Sequence, residues 1–276
     1  MNNNVLHVNS EVVANTASVL SLYQHRLSEL PETIWQQTAL EVLNVADNAL
    51  VALPEGIGNL TRLRMLDVGH NQLRALPDAL SQLHELSFLY ASNNVLTSLP
   101  HSLAQLTHLI YLNVTDNHLT ALPDWVGGLT QLLELRAYNN ALAALPETLT
   151  HLTTLRELHV MNNALTALPE NLGELRALRK LDVQGNQLSA LPDTLGDLTH
   201  LTDLNLRYNK LTTLPETLGQ LRSLHTLDVR ANALTHLPAS LGTLPHLEKL
   251  DVRWNRMTAL PDWIEALEVR GCVVLA

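Results

Sequence analysis

Proline recurs every 23 residues through this chain, at Pro31, Pro54, Pro77, Pro100, Pro123, Pro146, Pro169, Pro192, Pro215, Pro238 and Pro261. Asparagine keeps the same interval from Asn48 to Asn255. A register held without insertion over so many steps points to one architecture, a stack of short equivalent units. The unit LRKLDVQGNQLSALPDTLGDLTH, residues 178–200, shows how it works. Leu181 and Val183 are two apart, so they point to the same side of a short strand. Asn186 follows at the turn, where its side-chain amide can satisfy backbone groups that a buried bend leaves unpaired. Leu188 and Leu191 carry the apolar face round to Pro192, which opens a short helical turn where its missing N–H costs little. Leu195 and Leu198 bring the chain back to the next strand. One unit cannot bury its own leucines. Stacked neighbours share a continuous aliphatic core, with the strands forming a parallel sheet along one side.

Composition fits this frame. Aromatic residues make up only 4% of the 276 residues, with a single Phe, so aliphatic side chains must fill the core. The one cysteine, Cys272, excludes an internal disulfide and with it a disulfide-stapled secreted domain. The net charge of -10 argues against a nucleic-acid partner, since a duplex demands a basic face. That charge does not mark a binding surface either. Nine of the eleven repeat prolines are followed by Asp or Glu, as in Glu55, Asp193 and Glu216, where a carboxylate suits the unpaired N–H groups of a helical first turn.

The pattern LxxLxLxxNxLxxLPxxLxxL, with LPxxLG as in residues 191–196, resembles that of leucine-rich-repeat proteins of the 23-residue typical class. That class includes intracellular Ras-pathway scaffold proteins and bacterial effectors injected into host cells. The resemblance covers residues 20–264. It implies an α/β fold, a right-handed solenoid shaped as a horseshoe, with a concave parallel β-sheet and short helical or 3-10 turns on the convex side. The expected organisation is one domain: a short helical cap over residues 1–19, about eleven repeats over 20–264, and a C-terminal cap and edge strand over 265–276.

Catalytic chemistry finds little foothold. No HExxH or close Cys/His cluster marks a metal site, and the thirteen histidines do not share a column. Cys272 sits in the apolar run CVVL and reads as a small hydrophobe. Ser–His–Asp sets can be picked from any such repeat, but a regular frame offers no strained nucleophile turn. The expectation is therefore no catalytic residue, no metal, no cofactor and no enzyme activity.

The informative columns are those that alternate away from the leucines. The first reads Val42, Met65, Phe88, Tyr111, Glu134, Glu157, Lys180, Asp203, Thr226 and Lys249. The next runs from Asn44 and Asp67 through Tyr90, Arg136 and His159 to Asp228 and Asp251, and the third includes Tyr138, Met161, Arg207, Arg230 and Arg253. The scarce aromatics collect here, and Tyr, Met and Arg on a rigid sheet are common anchors of protein interfaces. The candidate binding residues are Met65, Phe88, Tyr90, Tyr111, Arg136, Tyr138, His159 and Met161. A secondary set is Arg207, Tyr208, Arg230, Arg253 and Trp254, whose arginines can also neutralise neighbouring acids across strands.

The function expected from these columns is a protein-interaction scaffold or adaptor, a monomer holding a protein or peptide on its concave face. A bacterial effector acting on host proteins is one form of it. Two alternatives stand beside it: the substrate-recognition module of a larger enzyme such as a ubiquitin ligase, which needs a catalytic domain beyond these residues, and a carbohydrate or cell-wall binder using stacked aromatics. The start MNNNVLHVNSEVV has no basic run before an apolar one, and no stretch approaches the ~18 apolar residues of a membrane span. The expected location is cytoplasmic, or a host cell reached without a cleaved signal, with no membrane insertion.

Overall fold

The computed structural model describes residues 18–276. The first seventeen residues, and with them most of the cap read at residues 1–19, lie outside the described residues; Val19 begins the first strand. The chain divides into two compact units, residues 1–119 and 120–276.

In the first unit the strands are β1 (Val19–Ser21), β2 (Val42–Asn44), β3 (Met65–Asp67), β4 (Phe88–Tyr90) and β5 (Tyr111–Asn113). Each pairs with the next in parallel, offset by one repeat in sequence: Leu43 lies opposite Leu66, Leu66 opposite Leu89 and Leu89 opposite Leu112. In the second unit the strands are β6 (Glu134–Arg136), β7 (Glu157–His159), β8 (Lys180–Asp182), β9 (Asp203–Asn205), β10 (Thr226–Asp228), β11 (Lys249–Asp251) and β12 (Val273–Leu275). They pair by the same rule from Leu135 onward, and β12 closes on β11.

Three-residue strands suffice because the middle residue of each from β2 to β11 is a leucine buried among its counterparts. Behind the strands each repeat makes a single 3-10 turn, such as Asp193–Asp197. Pro192 is the residue just before that turn, with extended backbone, and its carbonyl accepts the Leu195 N–H. The glycine of the LPxxLG pattern answers to close stacking: a Cβ on Gly196 would collide with the backbone carbonyl of Thr217 in the next turn. The carboxylates after the prolines reach one repeat further than a local cap. Glu55 accepts the Ala79 N–H at 2.9 Å, and Glu216 accepts those of Ala239 and Ser240.

The repeat asparagines form the second frame. Asn186 Nδ2 donates to the carbonyls of Val160, Val183 and Gln184, while its Oδ1 accepts the Leu165 N–H at 3.0 Å. Asn71 does the same in the first unit, through Val45, Val68, Gly69 and Leu50. Each amide therefore ties its own turn to the preceding repeat. After the last 3-10 turn the pattern changes to a true helix, α1 (Trp263–Val269), which buries Ile264 and Leu267. No helix among the described residues is long and apolar enough to cross a membrane.

Candidate functional site

Strand alternation sends the residues on either side of each buried leucine outward. In the first unit this sets Met65, Phe88 and Tyr111 in one register and Asp67, Tyr90 and Asn113 in the next. Phe88 is 38% exposed. Its ring centroid lies 6.5 Å from that of Tyr111, which lies 4.8 Å from that of Tyr90; both pairs are tilted. A partly wetted cluster of aromatics thus sits on a rigid backbone, in a chain whose leucines are otherwise consumed by the core. Asp67 borders it. Burial pushes its carboxyl above the usual range, against the pull of the Gly69 N–H and of His70.

The same columns in the second unit carry charge. Glu134 lies opposite Glu157, and Glu157 opposite Lys180; Arg136 lies opposite His159, and His159 opposite Asp182. Glu157 accepts from His159 Nε2 at 3.0 Å and pairs with Lys180 Nζ at 3.2 Å, while Arg136 Nε contacts Glu134. Burial pushes the Glu157 carboxyl up, but the bonds from His159 and Lys180 outweigh it and hold the group below its ordinary value. Tyr138 and Met161 stand half-buried in the third column of adjacent repeats, joined through the backbone by Asn139 N–H to the Met161 carbonyl.

Further along, the arginines of the secondary set are engaged with acids. Arg253 grips Asp251 with two bonds, Nε to Oδ1 at 3.0 Å and Nη2 to Oδ2 at 2.6 Å. Arg230 Nη2 is 3.0 Å from Asp228, and Arg207 contacts Gln184. Tyr208 and Trp254 are 49% and 64% exposed, with ring centroids 6.5 Å apart across the small side chain of Ala231. The Arg253 guanidinium lies 5.8 Å from the Trp254 ring centroid, within cation–π range. Beside them, Val252, Met257, Leu260 and Ala276 help line a shallow recess of about 240 Å³.

Two features escape a reading of columns by residue type alone. Tyr208, Ala231 and Trp254 have φ of 56°, 54° and 59°, and the equivalent residue of every repeat from Asp47 onward is left-handed too. The signal was present, since Asp47, Asn93, Asp116, Asn139, Asn162 and Gly185 are types that tolerate that conformation. The second is the convergence of Glu134, Glu157 and His159, whose ligand atoms all lie within 4.8 Å of one another. Cys272 is buried, and burial pushes its thiol up, so it is held in the unreactive protonated form.

A profile of the leucine-rich repeat region matches residues 55–165 and 193–269, and a single leucine-rich-repeat profile matches 177–198. The chain belongs to the leucine-rich-repeat family. Comparison with the curated proteins found no match. Solved structures do match. The ectodomain of the plant membrane receptor kinase GASSHO1/SCHENGEN3 from Arabidopsis thaliana, in complex with CASPARIAN STRIP INTEGRITY FACTOR 2, is 32% identical with a TM-score of 0.74, over 85% of this chain and 32% of that one. YopM, a leucine-rich effector protein from Yersinia pestis, is 33% identical with a TM-score of 0.68, over 89% of this chain and 63% of that one. The plant peptide hormone receptor RGFR1 in complex with RGF2 is 25% identical with a TM-score of 0.55, over 85% of this chain and 47% of that one. The chain spans about a third to two thirds of the length of these structures.

Proposed function

We propose that this leucine-rich-repeat chain is a binding scaffold for a protein or peptide, which docks on the outward face of the strands. The observation that carries the reading is the cluster of Phe88, Tyr90 and Tyr111, set in ring contact on adjacent strands with Met65 in register beside it. Ladder packing alone asks for no exposed aromatic here, whereas a partner gains most from large, rigid, partly wetted side chains. In the second unit Arg136, Tyr138, His159 and Met161 supply further contacts, and Arg207, Tyr208, Arg230, Arg253 and Trp254 a secondary set. Two of the similar receptors hold their ligands in solved complexes, which supports a protein or peptide as the partner class. Likeness to YopM supports the finer proposal of an effector acting on host proteins.

The test is retention of proteins on the immobilised chain, compared with a Phe88→Ala, Tyr111→Ala, Tyr138→Ala variant of matched circular dichroism. Loss of hot-spot aromatics costs on the order of 2 kcal/mol or more each, so specific partners should drop out. A folded variant that retains every partner would contradict the docking face.

A further inference from the structure

We infer that Glu134, Glu157 and His159 form a binding site for one divalent transition-metal ion of the zinc class. Glu134 ends up opposite Glu157 because β6 and β7 pair in register, and His159 is two residues on from Glu157, on the same face. One ligand atom from each lies within 4.8 Å of the other two, and all three residues are half-buried. His159 Nε2 and Glu157 Oε2 are already 3.0 Å apart, close to the edge of a metal's coordination shell. The Glu134 carboxylate, now in contact with Arg136, joins them by giving up that contact. An imidazole among two carboxylates favours zinc or cobalt over magnesium or calcium.

The surroundings supply what a divalent cation needs. Glu134 and Glu157 lie directly opposite each other on paired strands and repel; Arg136 and Lys180 now offset them, and a divalent ion between them takes over that role. Across β6 to β9 the same face carries Glu134, Glu157, Asp182 and Asp203 against Arg136 and Lys180, four acids against two bases. Lys180, now paired with Glu157, lies in register with Asp203 and has a half-exposed side chain. It can turn to Asp203 when an ion takes its place. Three protein ligands leave a coordination position open to solvent, as in zinc sites that keep an exchangeable ligand. His159 also lines a recess of about 250 Å³, together with Lys180, Asp182, Asp203 and Asn205 among others. The site shares His159 with the second-unit contacts proposed for the docking partner, but none of its ligands with the cluster of Phe88, Tyr90 and Tyr111.

Cobalt(II) is the probe, because its visible bands report imidazole and carboxylate ligation, with zinc(II) as competitor. The intact chain should take up one equivalent that zinc displaces. His159→Ala should abolish that equivalent, and the near-isosteric Glu134→Gln should weaken it by at least about tenfold. His225→Ala, at the stacked His225–His246 pair elsewhere in the second unit, should leave it unchanged. An intact chain that takes up no cobalt overturns the assignment. So does an isotherm that is the same in the intact chain and in Glu134→Gln, whatever the fate of His159→Ala.

Discussion

Asp67 and Asp251 hold the same place in their repeats, the last residue of β3 and of β11, yet their carboxyls are pushed in opposite directions. Asp67 sits in the first unit beside Tyr90, where burial raises it and one backbone bond from Gly69 does not compensate. Asp251 is more enclosed, at 1% exposure, and burial pushes it up as well. There the paired bonds from Arg253, with the charge of Arg230 behind them, outweigh burial and bring it down. The backbone is the same in both places. What differs is the side chain two residues on and its counterpart one repeat away. In this solenoid the frame sets position, and the outward columns set chemistry: aromatic in the first unit, ionic in the second.

If the frame is common to both units, breaking it should cost the same in either. Asn71→Ala and Asn186→Ala each strip several backbone groups of their partner, and each should lose on the order of 3 kcal/mol in chemical denaturation. Losses differing by several-fold would break the comparison at its root.

The columns should separate the units. Asp251→Asn leaves Arg253 without its anion and Arg230 with Asp228 alone, and should cost about 2 kcal/mol at neutral pH. Because the folded value is depressed, that stability is present above the unfolded value of about 3.9 and fades as pH falls through the lower folded value. The gap between wild type and variant should therefore close in strong acid. Asp67→Asn should do the reverse. Its raised value favours the protonated carboxyl, a contribution present in acid and lost as pH rises through the folded value. The variant keeps an oxygen for the Gly69 N–H and should be more stable at neutral pH by up to about 1 kcal/mol, converging with wild type at low pH. Thermal melts across pH read both. The smallest effect is Ala231→Gly, which relieves a left-handed alanine and should gain about 0.5 kcal/mol. A loss there would mean that Ala231 serves mainly as the spacer between the Tyr208 and Trp254 rings.

The stack itself was legible because proline and asparagine each repeat for a distinct backbone reason, a turn start at Pro192 and a shared hydrogen-bond hub at Asn186. The aromatic register of Met65, Phe88 and Tyr111 was legible for the same reason, since a fixed period aligns columns without coordinates. What stayed hidden depends on contacts between repeats. Glu55 and Glu216 cap the following turn, not their own, and no spacing within one unit reveals that. The left-handed column was masked at Tyr208, Ala231 and Trp254, where residue types that disfavour φ above zero are held by the frame. Glu134 and His159 are 25 positions apart, so no metal motif announces them; only the parallel register brings them together. The segment read as cap and edge strand over 265–276 holds most of helix α1 and then β12; WIEALEV has the apolar Ile264 and Leu267 three apart and no glycine.

The docking face is the central claim, and cross-linking tests it most directly. A photo-crosslinking residue is placed at position 88 or 111 on the outward face, or at position 105 in the exposed 3-10 turn His101–Gln105. With a partner that the intact chain retains, positions 88 and 111 should give the same adduct and position 105 none. Adduct formation at position 105 alone, or equally at all three, would contradict a partner seated on the strands.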